Sequence, residues 1–281
     1  MAEDVRESRV RKVTTLAAPL IAFYLIQNIQ NLIFLALIGR VGTTALAGSG
    51  IAGVVFSLLL ALLFGFDTGV QAVVSRATGA GERDLATRAL SDAHALSIPF
   101  GLLLAFVAYR YGPDLTRLLA SDARVAEAAR ANLHGIAGAL ALFAITIPVN
   151  AYWIATGVPR IAFFVTAATA PVQVGLLALL IFGAGSIPPL GLFGAGLAQT
   201  GACLVGLLVQ LSIARVRGVP LFRTPRFTGM LAIVKIGWPG TLDRYRIEFR
   251  VPDGVGAGMA AIRLISAWIP GSQVSIPVQR Q

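Results

Sequence analysis

The stretch from Thr14 to Gly39, "TTLAAPLIAFYLIQNIQNLIFLALIG", contains no charged residue. A helix needs about 20 predominantly apolar residues to cross a hydrocarbon core ~30 Å thick, and this run is long enough. Five more follow: Leu46–Phe66, Ala93–Tyr109, Gly135–Ile154, Ile161–Phe182 and Leu190–Ile213. A soluble domain could not hide six such runs. Only 13% of the residues are charged, about half the usual share, and the mean hydropathy is +0.78. The expected fold class is therefore all-α, a polytopic integral membrane protein built as a six-transmembrane-helix bundle over residues 14–216. Between spans three and four, "GPDLTRLLASDARVAEAARANLH" mixes charges at helical spacing and is predicted to lie on the membrane surface.

The positions of Lys and Arg orient the bundle. Arg6, Arg9, Arg11, Lys12, Arg76, Arg83, Arg88, Arg160, Arg215, Arg217, Arg223 and Arg226 fall on one side. Arg40, Arg110, Arg117, Arg124 and Arg130 fall on the other. Positive loops stay inside, so the N-terminal segment 1–13 and the segment after span six are expected to be cytoplasmic. The expected location is the inner (plasma) membrane, with membrane lipid as the surrounding partner. The formal charge of +10 is clustered in turns and forms no stripe with interleaved aromatics, so no nucleic-acid partner is expected. Cys203 is the one cysteine, which excludes an intrachain disulfide. Met1–Lys12 is polar, and the run after it is too long for a signal peptide, so the first span is expected to stay.

Four side-chain amides interrupt the first run. Gln27, Asn28, Gln30 and Asn31 span about 160° of a helix, with Ile29 opposite. An unpartnered amide in hydrocarbon costs several kcal/mol. The amides must face either neighbouring helices or a water-filled cavity, and their number favours a cavity lining. Asp67, in "FGFDTGVQA", is placed at or near the end of span two, with Gln71 one turn on. It is either a functional ionisable group or an interfacial carboxylate that caps a helix or pairs with Arg76. Asn150 follows Pro148, and Gln173 follows Pro171. A proline frees a carbonyl in its own helix, so each amide either lines a site or repairs the break. Gln199 and Thr200 add polarity to span six. Ala45, Ser49 and Gly53 are spaced for close helix packing.

His94 and His134 lack ligand-spaced neighbours, so no metal site and no cofactor are expected. No nucleophile elbow, Walker loop or zinc motif occurs in a usable context, and the chain is not expected to be an enzyme.

Three segments together resemble the multidrug and toxic compound extrusion (MATE) family. They are "IGRVGTTALAGSGIA" (38–52), "GFDTGVQAVVSRATGAGERDLATRA" (65–89) and "LLIFGAGSIPPLGLFGAGLAQTGA" (179–202), supported by "IPVNAYWIATGVPR" (147–160). The resemblance implies two six-helix lobes, of which residues 14–216 match the N-terminal one. It implies secondary efflux of drugs or organic cations, cationic or lipophilic small molecules, by antiport with H⁺ or Na⁺. It would place the amide-lined face beside the cavity between lobes, and the residues expected to line that cavity are Gln27, Asn31, Asp67, Gln71, Asn150 and Gln173. Many members carry an Asp where Phe34 stands, an Asn at Gln173, and a polar residue at Leu177. Within 217–281, "IVKIGWPGTLDR" resembles the start of helix seven, and "GVGAGMAAIRLISAWIPG" resembles its end and the start of helix eight. That region is expected to be a cytoplasmic linker followed by an incomplete second-lobe remnant, as in an internally deleted or frame-altered product. A homodimer would restore two lobes. The alternatives are a non-transporting membrane fragment, or a lipid-linked sugar flippase of the same wider superfamily.

Overall fold

The computed structural model describes the backbone of residues 2–243, 258–266 and 269–278, and the side chains of residue 18 and residues 21–238. Seven helices follow one another: α1 (Ala2–Val41), α2 (Thr43–Gly79), α3 (Arg83–Leu119), α4 (Ala123–Ala155), α5 (Arg160–Phe182), α6 (Gly191–Val216) and α7 (Phe227–Asp243). The first six each hold a stretch long and apolar enough to span a bilayer, and α7 is shorter. The all-α, six-span expectation holds for this part of the chain.

The predicted surface helix between spans three and four is not a separate element. α3 runs to Leu119 and α4 starts at Ala123, so the segment forms the ends of two long helices. Asp122 explains the break: its side chain accepts the backbone N–H of Arg124 at 2.7 Å and caps α4. At 37 residues each, α2 and α3 are about 55 Å long and exceed the ~30 Å core. Their ends therefore tilt or extend beyond it.

α4 is the axis of the bundle, packed against α2, α3 and α6, while α1 rests mainly on α5, and α7 on α2 and α3. Small residues set these approaches. A Cβ on Gly135 of α4 would collide with the Phe193 carbonyl, and one on Gly196 of α6 with the Asn132 carbonyl. Gly194 does the same against the Leu180 carbonyl of α5. The last two glycines of "GLFGAG", Gly194 and Gly196, thus seat α6 against two different helices at backbone distance. On α2 the close contact is made by Gly48 against Ala128, whereas Gly53 faces open space. The expected stripe Ala45–Ser49–Gly53 is corrected to Ala45, Gly48, Ser49 and Ala52, all buried.

Prolines inside α3 and α4 leave carbonyls without their helical donor, and neighbouring helices supply one. Pro148 frees the Ala144 carbonyl, which Ser97 Oγ of α3 meets at 2.7 Å. His94 Nε2 lies 3.1 Å from the next carbonyl, Ile145. Pro113 frees the Tyr109 carbonyl, which His134 Nε2 of α4 meets at 3.1 Å while its ring stacks on Tyr109. Both histidines therefore staple α3 to α4.

Residues Arg244–Gln281 form a separate unit. In it β1 (Gly258–Ser266) pairs antiparallel with β2 (Ile269–Val278), with a register irregularity between Arg263 and Ile265. The segment that resembles the end of helix seven and the start of helix eight lies partly outside the described residues.

Candidate functional site

The four amides of α1 divide into three roles. Gln30 turns inward, and its Nε2 donates to Gln173 Oε1 of α5 at 2.7 Å. Gln173 Nε2 donates in turn to Gln199 Oε1 of α6, and Gln199 Nε2 to Cys203 Sγ at 3.5 Å. Asn28 is taken up locally, donating to the Tyr24 carbonyl at 2.8 Å. Gln27 and Asn31 are exposed, about 60° and 100° around the helix from Gln30. They open onto the lobe surface beside the relay. Packing and exposed polarity, posed as alternatives from the sequence, coexist on one helix.

Asp67 lies inside α2, which continues to Gly79, about 18 Å further on. It therefore does not cap a helix end. It is half-buried, and its Oδ2 accepts Gln71 Nε2 at 3.0 Å. Gly65 and Gly69, two residues to either side, contact α7. A two-residue step turns a helix by 200°, so the Asp67–Gln71 pair points away from α7.

Asn150 is not engaged in repairing the proline break. Its Oδ1 accepts Gln210 Nε2 of α6 at 2.9 Å. Gln210 is 1% exposed, and its Oε1 and the Trp153 Nε1 are buried without a hydrogen-bond partner among the described residues. The six anticipated residues thus fall into separate places. Gln27 and Asn31 flank the α1–α5–α6 relay that contains Gln173, Asp67 pairs with Gln71 on α2, and Asn150 joins α4 to α6.

Phe34 and Leu177, which stand where the resemblance implies polar groups, pack into one apolar cluster with Ile38, Ile181 and Leu192. That cluster lies between α1, α5 and α6 and offers no carboxylate. Two further ionisable side chains are buried within the bundle: Asp92 and His94 of α3 are 3% and 1% exposed. Asp92 Oδ1 accepts the backbone N–H of Arg226 at 2.6 Å, and its Oδ2 lies where a Cβ on Gly229 would stand. It caps α7 from another helix, placing a buried carboxylate at a helix N-terminus. Only the eleven-residue spacing of Gln199 and Gln210, which puts both on one stripe of α6, was available as a sequence signal for these added residues.

Comparison with known proteins agrees with this architecture. The sequence model of the MatE family matches residues 19–179, more than half of the chain. A probable multidrug resistance protein NorM of Bradyrhizobium diazoefficiens is 32% identical over 199 residues, covering 71% of this chain and 42% of the relative. Another, of Deinococcus radiodurans, is 30% identical over 244 residues, covering 83% and 51%. A MOP superfamily transporter of Pyrococcus furiosus superposes with a TM-score of 0.74 at 18% identity, covering 83% of this chain and 52% of that one. An outward-facing multidrug resistance MATE family transporter gives 0.75 at 18%. The chain spans about half the length of these relatives. With six spanning helices, a backbone-close α4–α6 seam and this match, it is a multi-pass membrane protein that belongs to the MatE, or multidrug and toxic compound extrusion, family.

Proposed function

We propose that this chain is the first lobe of a secondary efflux transporter for cationic or lipophilic small molecules, exchanged for H⁺ or Na⁺. The observation that carries this reading is the pair Gln27 and Asn31. They are two neutral amides left uncovered in the middle of an apolar helix, beside a relay that already satisfies Gln30, Gln173 and Gln199. Uncovered amides at this depth need water, substrate or a second lobe. Primary amides donate and accept, which suits a range of lipophilic cations without fixing one. Asp67, buttressed by Gln71, supplies the carboxylate for the coupling ion.

A second lobe is required for alternating access between two repeats, and a second copy of the chain supplies it. The arginine asymmetry supports an inner-membrane protein with its N-terminus in the cytoplasm. No cofactor and no enzymatic step take part.

Ethidium efflux from cells expressing the chain tests the proposal, together with cross-linking in membranes. Efflux that is lost in Gln27→Leu/Asn31→Leu while membrane insertion is unchanged supports it. A cross-linked dimer supports the two-copy assembly. Efflux indistinguishable from cells lacking the chain would overturn transport by this polypeptide.

A further inference from the structure

The α6–α7 connection is fastened on one side and open on the other. Its inner side is clasped to α3. Ser91 Oγ donates to the Leu221 carbonyl at 3.4 Å and accepts the Arg223 N–H at 3.0 Å. His94 Nδ1 meets the same Leu221 carbonyl at 3.1 Å. Arg223 pairs with Asp84 at 2.5 Å, and Asp92 holds the Arg226 backbone. Leu221 is buried among the helices.

The outer side has the opposite character. Val216, Phe222 and Phe227 are 88%, 61% and 78% exposed. They alternate with Arg215, Arg217, Arg223 and Arg226. Among the described residues, Arg215, Arg217 and Arg226 enter no ion pair, and Arg217 lies over the Trp153 ring at 5.9 Å. Arg76, Arg83 and Arg160 sit at the neighbouring turns of the same end. The other end differs. There Arg130 pairs with Glu127, Arg124 lies 3.7 Å from Asp122 and Arg110 rests on Tyr111, which leaves Arg40 and Arg117 as the arginines without an ion pair or ring contact among the described residues.

Large apolar side chains interleaved with uncompensated arginines, at the end of a membrane-spanning bundle, match a headgroup boundary. Below it is hydrocarbon, and at its level are phosphates that guanidinium groups bind in bidentate fashion. We propose that the strap 215–227 is an interfacial anchor for anionic phospholipid. Arg215, Arg217 and Arg226 bind the phosphodiester headgroups, and Val216, Phe222 and Phe227 insert among the upper acyl segments. The clasp on α3 holds the strap in the plane where both contacts are made.

The test uses the full chain in nanodiscs of phosphatidylcholine, with and without phosphatidylglycerol. Thermal unfolding and lipid retention in native mass spectrometry are the readouts. Phosphatidylglycerol is expected to raise the midpoint and to be retained several-fold over phosphatidylcholine, with the effect falling as salt rises. Arg215→Gln/Arg217→Gln/Arg226→Gln should remove the preference, and Arg110→Gln/Arg117→Gln/Arg124→Gln should keep it. If the first triple variant fails to fold, Phe222→Ser/Phe227→Ser, which leaves every charge in place, should still weaken retention of both lipids. Equal loss at both ends of the bundle would overturn the proposal. So would an equal shift with inorganic phosphate alone, or a stability that follows protein concentration and ignores lipid charge.

Discussion

α4 and α1 are similarly apolar, yet most of the spanning part of α4 is buried among other helices and almost none of that of α1 is. The difference lies in small residues and in partners. α4 brings Gly135, Gly138 and a run of alanines against α6, α2 and α3. α1 has large side chains over most of its surface and touches α5 through a narrow stripe around Gln30, Phe34 and Ile38. In lipid, where tails are as apolar as leucine, helices associate by close packing and hydrogen bonds rather than by hydrophobicity. Hydropathy therefore inserts both helices equally, and backbone proximity decides which becomes the core.

The contrast is broken most strongly at the α4–α6 seam. Gly196→Leu must displace the Asn132 carbonyl, and a loss of about 3 kcal/mol or more is expected. Loss of a monodisperse peak in detergent would register it. Next comes the proline repair. Ser97→Ala leaves the Ala144 carbonyl buried without a donor and should cost about 1–3 kcal/mol. Adding Pro148→Ala should restore most of this, because residue 148 then supplies its own N–H. A double-mutant cycle without coupling would refute the repair.

On the α1 side the effects shrink. Gln173→Leu severs the amide relay and should cost about 1 kcal/mol, seen as readier proteolysis of α1 with the α4 core intact. Gln27→Leu and Asn31→Leu should leave the stability unchanged within about 0.5 kcal/mol, although efflux is predicted to fall. The smallest contrast sharpens the α2 stripe. Gly48→Ala should destabilise by crowding Ala128, whereas Gly53→Ala, facing open space, should be neutral or slightly stabilising through helix propensity.

Six spans, their order and the family were legible in the sequence, because runs of membrane length and local loop motifs are properties of contiguous residues. The candidate site was only partly legible. Gln27, Asn31, Asp67, Asn150 and Gln173 were visible as polar residues in apolar runs, but their partners were not. Gln30 was one of four apparent equals until α5 selected it. For Asp67 the sequence left capping of a helix end open as one alternative, and the continuation of α2 to Gly79 removes it. Asp92, Ser97 and His94 gave no local signal, since what they satisfy is a carbonyl or a helix start on another element.

The sequence by itself determined that this chain lives in lipid as long helices, because no arrangement in water could cover so much apolar surface with so few charges. Only the tertiary structure decided which amides join helices and which stay open, and which carboxylate caps a neighbour. It also decided which glycines admit another backbone. Helical periodicity fixes what shares a face, while the partner of that face is set by contacts between residues far apart in the chain.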